Sequence, residues 1–368
     1  MIEPIRTLVT IVLFFGILGA LVIVHELGHF VVARLFRIRV LEFGIGFPPR
    51  ARVLRDVGDT VYTLNWLPIG GFVKLEGEDG DEADDPRSFS AAGLPRRLII
   101  LVAGVVMNLI LAFTIFTGIA LTGDPAIGVY VPYVEAGSPA AAAGLRIGDV
   151  IERVDGRAFG AFGPGSVLQD LRARAGQSVL LTVRRDGTPI EVTASLRAPA
   201  EIAAGKGALG IGQVPDHPLE SRTTPDRISY EIGTALALGT DRTVAATRLI
   251  IDGVGQLLNA IVTRPTEPPP AAGPVGIATQ IGDVFWTLGP IVTLYLAAIL
   301  SANLAVVNIL PFPPLDGGRM LMLVVKRVIG TRLTLRAERL TYFVGFAMLL
   351  AFLVWVTAFD IARQFGGG

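Results

Sequence analysis

The chain has no cysteine in its 368 residues, which excludes disulfides, thiol nucleophiles and thiolate-bound metal. Charge is scarce too. Asp, Glu, Lys and Arg make up 17% of the residues, their net charge is zero, and no Lys/Arg-rich block stands out. Nothing therefore points to a nucleic-acid partner. Histidine is rarer still, with only His25, His29 and His217. Any metal must be held by a few imidazoles together with Asp or Glu.

Apolar residues are what the chain has in abundance. They make up 51% of it, and the mean hydropathy is +0.59, which places the chain among membrane proteins rather than soluble ones. About 20 apolar residues cross the hydrocarbon core, and four nearly charge-free windows meet that length: 7–33, 98–121, the stretch between Asp283 and Asp316, and the stretch between Arg339 and Asp360. The first is too long for a signal peptide, and "VVARLFRIRV" after it offers no small-residue cleavage site, so it is expected to be retained. Ten Lys/Arg lie in 34–97 and six between Arg319 and Arg339, against Arg6 alone at the N-terminus. Both basic segments are therefore expected in the cytoplasm, with residues 122–283 and both termini outside. The acidic run "GEDGDEADDP" (77–86) reads as a solvated cytoplasmic loop.

The outer region opens with "GVYVPYVEAGSPAAAAGLRIGDVIERVDG" (128–156), in the order strand, small-residue helix, glycine-bounded turn, strand. It closes with "SVLLTVRRDGTPIEVTASL", whose Asp186–Gly187 pair predicts a hairpin. Residues 127–213 resemble a PDZ domain of the bacterial protease type, with "ALGIGQ" (208–213) as a peptide-docking strand; the competing reading is a small α/β domain that only spaces the helices. From 227 to 263 the apolar residues are broken by Glu231, Asp241, Arg242, Arg248 and Asp252, which predicts one or two amphipathic helices lying at the interface. "TRPTEPPPAAGP" (263–274) is a Pro-rich connector.

The segment "LGALVIVHELGHFVVARLF" (18–36) places His25, Glu26 and His29 inside the first span. Ionisable residues there are functional candidates by default. His25 and His29 are four apart, on one helix face, the spacing at which two imidazoles can hold one zinc with Glu26 beside them. His217, in a polar linker between Pro215 and Pro218, is set aside as a third ligand. Asp316 in "SANLAVVNILPFPPLDGGRM" (301–320) is the better candidate, because it comes at the cytoplasmic end of the third span. Pro311, Pro313 and Pro314 break the helix before it, while Gly317 and Gly318 permit close approach.

With HExxH in the first span, "NILPFPPLDG" (308–317) fitting NxxPxPxLDG, and the domain between spans two and three, the chain resembles the site-2 protease family of intramembrane zinc metalloproteases, in its bacterial RseP-type branch. "FGIGF" (43–47), "LPIGGFVKLEGE" (67–78) and "AGPVGIA" (272–278) extend the likeness over nearly the whole chain. Proteobacterial members carry two tandem PDZ domains, whereas this chain has room for one. The fold implied is a polytopic α-helical membrane protein with four transmembrane helices, a cytoplasmic-side β element and an extracytoplasmic α/β PDZ domain. Its parts are a membrane core (1–121, with the β hairpin at 40–75), the PDZ domain (127–213), amphipathic helices and connector (214–283), and a second membrane core (284–368).

The resemblance also implies a chemistry. Zn²⁺ sits on His25, His29 and Asp316, Glu26 is the general base, and peptide bonds in transmembrane segments of membrane proteins are cut. Asn308, and less directly Asn303, would serve as oxyanion or substrate-backbone donors; the alternative role for both is interhelical hydrogen bonding. "TVYTLNWLPIGGFVKL" (60–75) alternates like a hairpin and offers an edge strand as substrate clamp, with Gly70 and Gly71 at a turn. Expected partners are the bilayer, substrates already trimmed by another protease, such as anti-sigma factors or remnant signal peptides, and peptide ends at the PDZ domain, all at the bacterial cytoplasmic membrane. Two readings from other classes compete. A metal transporter would also line a membrane cavity with His, Glu and Asp, and a PDZ membrane scaffold would need no HExxH.

Overall fold

The computed structural model of the chain describes residues 2–78, 85–160, 165–212, 219–264, 267–330 and 335–365. Residues 79–84 of the acidic run, and His217, lie outside the described residues. The chain divides into two compact units, Met1–Phe116 with Thr240–Gly368, and Thr117–Gly239.

In the first unit α1 (Ile2–Leu35) is one unbroken helix. Pro4 sits in its first turn, where a missing N–H does no harm, and no other proline follows before Pro48. The chain then forms β1 (Val40–Val57) and β2 (Thr60–Leu75), joined through Gly58, whose φ is +64°. The pairing is doubled. Residues 42–45 of β1 face 71–74 of β2 on one side and 61–64 on the other, while the outer half of β1 pairs back onto 60–65. The two long strands thus make four short segments: 71–75 at one edge runs antiparallel to 42–45, 61–64 runs parallel to 42–45 on its other side, and the outer half of β1 runs antiparallel to 60–65. Gly70, with φ +74°, is where β2 changes neighbours. It lies inside the strand and not at the hairpin turn expected from sequence, because the turn is made by Gly58. Phe30 of α1 meets Phe43 with ring centroids 5.4 Å apart and fastens the sheet to the helix. α2 (Leu94–Thr122) follows.

The second unit holds β3 (Asp124–Tyr130), α3 (Pro139–Ala142), β4 (Val150–Val154), β5 (Arg157–Gly160), α4 (Val167–Ala173), β6 (Ser178–Arg185), β7 (Thr188–Ser195), α5 (Pro199–Ala203) and β8 (Glu220–Ile228). They form a sheet in the order β7-β6-β4-β5-β3-β8, over a core that includes Ile151, Leu171, Leu181 and Val183. Asp186 and Gly187, with φ of 50° and 82°, turn the chain from β6 into β7, as the left-handed demand of a two-residue hairpin requires. Ser138 and Ser166 cap α3 and α4 through their side chains.

Asp149, 1% exposed, accepts from Arg185 Nε at 2.9 Å and Nη2 at 2.8 Å, and from the Arg146 amide at 2.8 Å. Burial alone would raise its carboxyl, but the Arg185 guanidinium and the Arg146 amide hold it below the usual carboxylate range. A depressed folded value contributes stability that is complete above the unfolded pKa, about 3.9, and is lost as pH falls through the folded one. Asp149→Asn should therefore weaken hydrogen-exchange protection of β4 and β6 at neutral pH in the intact protein. The difference from wild type should fade in strong acid.

The rest of the chain is α6 (Ile232–Thr263), which belongs to the first unit from Thr240 on, followed in that unit by α7 (Pro274–Leu288), α8 (Pro290–Ile309), α9 (Asp316–Ile329) and α10 (Leu335–Phe365). Small residues let helices pack closely without a hydrophobic drive; Ala112 and Phe116 meet Ala246, Ala298 and Ala302 in this way. By length and composition five described helices could cross a membrane, α1, α2, α6, α8 and α10. Four were expected. The fifth is α6, a single long helix where one or two interfacial ones were expected; its best window has a hydropathy of 1.2, against 2.0 to 2.8 for the others. The expected third span is divided by Gly289 into α7 and α8. Asp360 ends the apolar window but not α10, because its carboxylate accepts the amides of Gly273 (3.2 Å) and Gly276 (2.8 Å) at the start of α7.

Candidate active site

His25 and His29 sit one helical turn apart on α1 and are 4% and 7% exposed. α2 makes room for them. A Cβ on Gly104 would overlap His29 Nε2 and stand 2.7 Å from His25 Cε1, so no side chain fits there. The Ile100 carbonyl, one turn earlier on α2, lies 2.8 Å from His29 Nδ1. A carbonyl only accepts, so Nδ1 donates and Nε2 keeps its lone pair.

Asp316 completes the trio. Its Oδ2 is 2.9 Å from His25 Nε2 and 3.3 Å from His29 Nε2, and the two imidazole nitrogens are 3.2 Å apart. A tetrahedral zinc with arms of about 2.0–2.1 Å sets its ligands roughly 3.3 Å apart. The separations and the donor set both fit. Two imidazoles and a carboxylate also leave the fourth position open, as a catalytic zinc needs. No other trio of this kind occurs among the described residues.

The sequence around Asp316 explains how it arrives there. α8 ends at Ile309, Pro311, Pro313 and Pro314 prevent its continuation, and Asp316 opens α9. Gly317 and Gly318 lie against the backbone of Ile309, Leu310, Phe312 and Pro313 so closely that a Cβ on either would overlap it. Asn308, in the last turn of α8, has Nδ2 3.4 Å from His25 Nε2. Asn303 is half-buried and lines no part of the cavity. Five residues on one helix turn the two asparagines about 140° apart.

A cavity of about 450 Å³ opens on the trio and is lined by Glu26, Asn308, Gly70, Gly71, Phe72 and Val73 among others. Residues 71–74 pair with β1 on one side only, and no strand among the described residues covers the other. Glu78 and Arg319, joined as an ion pair, also line the cavity.

A trio of this composition on an HExxH helix narrows the family, and comparison with known proteins decides it. Residues 13–352 match the profile described as Peptidase family M50. The chain belongs to peptidase family M50. A provisionally named zinc metalloprotease of Clostridium perfringens is 33% identical over 343 residues, covering 93% of this chain and 96% of the relative. The zinc metalloprotease RasP of Geobacillus kaustophilus is 28% identical, covering 98% and 100%. Membership makes the protein a zinc-dependent endopeptidase of the membrane, and the transporter and scaffold readings fall.

Two residues of α2 that local pattern does not single out also border the trio. Gly104 and Asn108 are four apart on α2, and both face the histidines. Their spacing was the available signal, in a span that otherwise reads only as charge-free.

Proposed function

We propose that His25, His29 and Asp316 hold the zinc and that Glu26 is the general base for hydrolysis of a peptide bond in a substrate's transmembrane segment. The observation that carries this reading is the meeting of three ligand atoms and Glu26 on the wall of one cavity. When bound, zinc supplies the Lewis acidity that a scissile carbonyl needs. Glu26 takes a proton from the attacking water and returns it to the leaving amine. Asn308 donates from Nδ2 to the carbonyl oxygen as that atom gains charge. A helical substrate must be unwound first, since its amides are already paired. The open edge at 71–75 receives the extended chain as an added strand, with Gly70 and Gly71 keeping the approach clear.

Four spans, with α6 at the interface, agree best with this site. The C-terminal ends of α1 and α8 must lie on one side of the membrane for His29 and Asp316 to meet, which requires an even number of crossings between them. α2 and α8 supply two, and a spanning α6 would make three. Asp241, Arg242, Arg248 and Asp252 within α6 point the same way, because each would cost about 2.5–3.5 kcal/mol near the bilayer centre. The basic segments then lie in the cytoplasm, and the second unit lies outside. That unit we assign as a single PDZ domain. A small apolar pocket between Leu168 and Leu171 of α4 and the stretch 207–211 supports a peptide-end site there, suited to substrates trimmed by an earlier protease.

The test is made on the purified full-length protein. It should carry one zinc per chain, lose cleavage of a model transmembrane substrate on chelation, and regain it with zinc. Undiminished cleavage after complete removal of metal would refute the reading.

A further inference from the structure

Asn108 lies on α2 one turn beyond Gly104 and is completely buried. Its Nδ2 is 3.2 Å from His25 Nδ1, and its Oδ1 has no partner among the described residues. A half-turn of the carboxamide exchanges the two atoms, and no partner at the Oδ1 position holds the group one way or the other. Among the described residues, His25 is the side-chain partner that decides the orientation. The Nε2 of His25 converges with His29 Nε2 and Asp316 Oδ2. If Nε2 gives its lone pair to a metal, the ring carries its proton on Nδ1, and that N–H needs an acceptor.

The geometry points to Asn108 as the positioning residue of the metal centre: its Oδ1 accepts from His25 Nδ1–H, fixes that ring's tautomer and rotation, and holds Nε2 toward Asp316. This rests on the ligand assignment above. His29 receives the same service from the Ile100 carbonyl, which no substitution can remove. Asn108 is therefore the half of this support that mutation can reach. Nor is its side chain needed to tie α2 to α8, since Ser301 donates to the Asn108 backbone carbonyl at 2.8 Å.

Zinc affinity of the full-length protein in detergent, read by competition with a chelator, tests the assignment, together with the visible absorption of the cobalt(II)-loaded form. Asn108→Leu should bind zinc about 10–100-fold more weakly and shift the cobalt bands. Asn108→Asp, which keeps an acceptor, should restore both. The metal-free variants should unfold near the wild-type temperature. If Asn108→Leu does not fold, Asn108→Ala compared with Asn108→Asp makes the same decision. The assignment is overturned if the acceptor-free variant holds zinc as tightly as wild type with unchanged cobalt bands, or if the Asp variant fails as badly. A wild-type protein that takes up no zinc would overturn it and the ligand assignment together.

Discussion

Glu26→Gln should purify with its full complement of zinc and cleave a transmembrane substrate about 10²- to 10⁴-fold more slowly than wild type. The two side chains have the same length and nearly the same volume, so the cavity beside Gly71 keeps its shape. Glu26 is not one of the three converging ligands, so the metal has no reason to leave. What disappears is a group that can accept a proton and give it back. Zinc content by elemental analysis and the cleavage rate, measured on one preparation, separate the two effects. Wild-type cleavage by the Gln protein would remove Glu26 from the mechanism, and loss of zinc would make it part of the ligand set.

Gly104→Ala, which adds one methyl group and no charge, should be as damaging by a different route. The new Cβ would occupy space that His29 Nε2 and His25 Cε1 fill, and both rings would have to swing away from Asp316. Even a displacement of about 1 Å in a catalytic site can cost on the order of 100-fold in rate, and here two of three ligands move together. Zinc occupancy should fall along with activity, unlike the outcome for Glu26→Gln. Ala is a better helix former than Gly by roughly 1 kcal/mol, so α2 itself should not suffer, and circular dichroism should show unchanged helix content. Full zinc binding by Gly104→Ala would mean that α2 does not pack against α1 as described.

The parts of the site carried by local pattern were legible in the sequence. His25 and His29 betray themselves by i,i+4 spacing in a span that should hold no titratable group. Asp316 does so by the prolines before it and the glycines after it. The parts that depend on how distant segments turn toward each other were not. Asn108 looks like any polar residue in a helix bundle until the rotation of α2 about α1 is known. Gly70 and Gly71 were expected at a turn because a glycine pair commonly marks one; the double pairing of β1, which keeps them within β2, is a non-local fact. One or two amphipathic helices were expected over 227–263 because charges break its apolar run, and a single helix, α6, forms there; that it is long enough to count as a candidate span depends on its length, which local pattern did not set.

Asp316 meets His25 across 291 positions of sequence, and this separation bears on how the protein is made. As the chain is inserted from its N-terminus, α1 and α2 can assemble with two imidazoles, their glycine clearance and the base already in place. On the proposed ligand set, the third ligand is the first residue of α9, after which only α10 is made. An unfinished or truncated chain therefore holds half a hydrolase beside every other membrane protein being inserted, and it cannot cut them until its own final helices arrive.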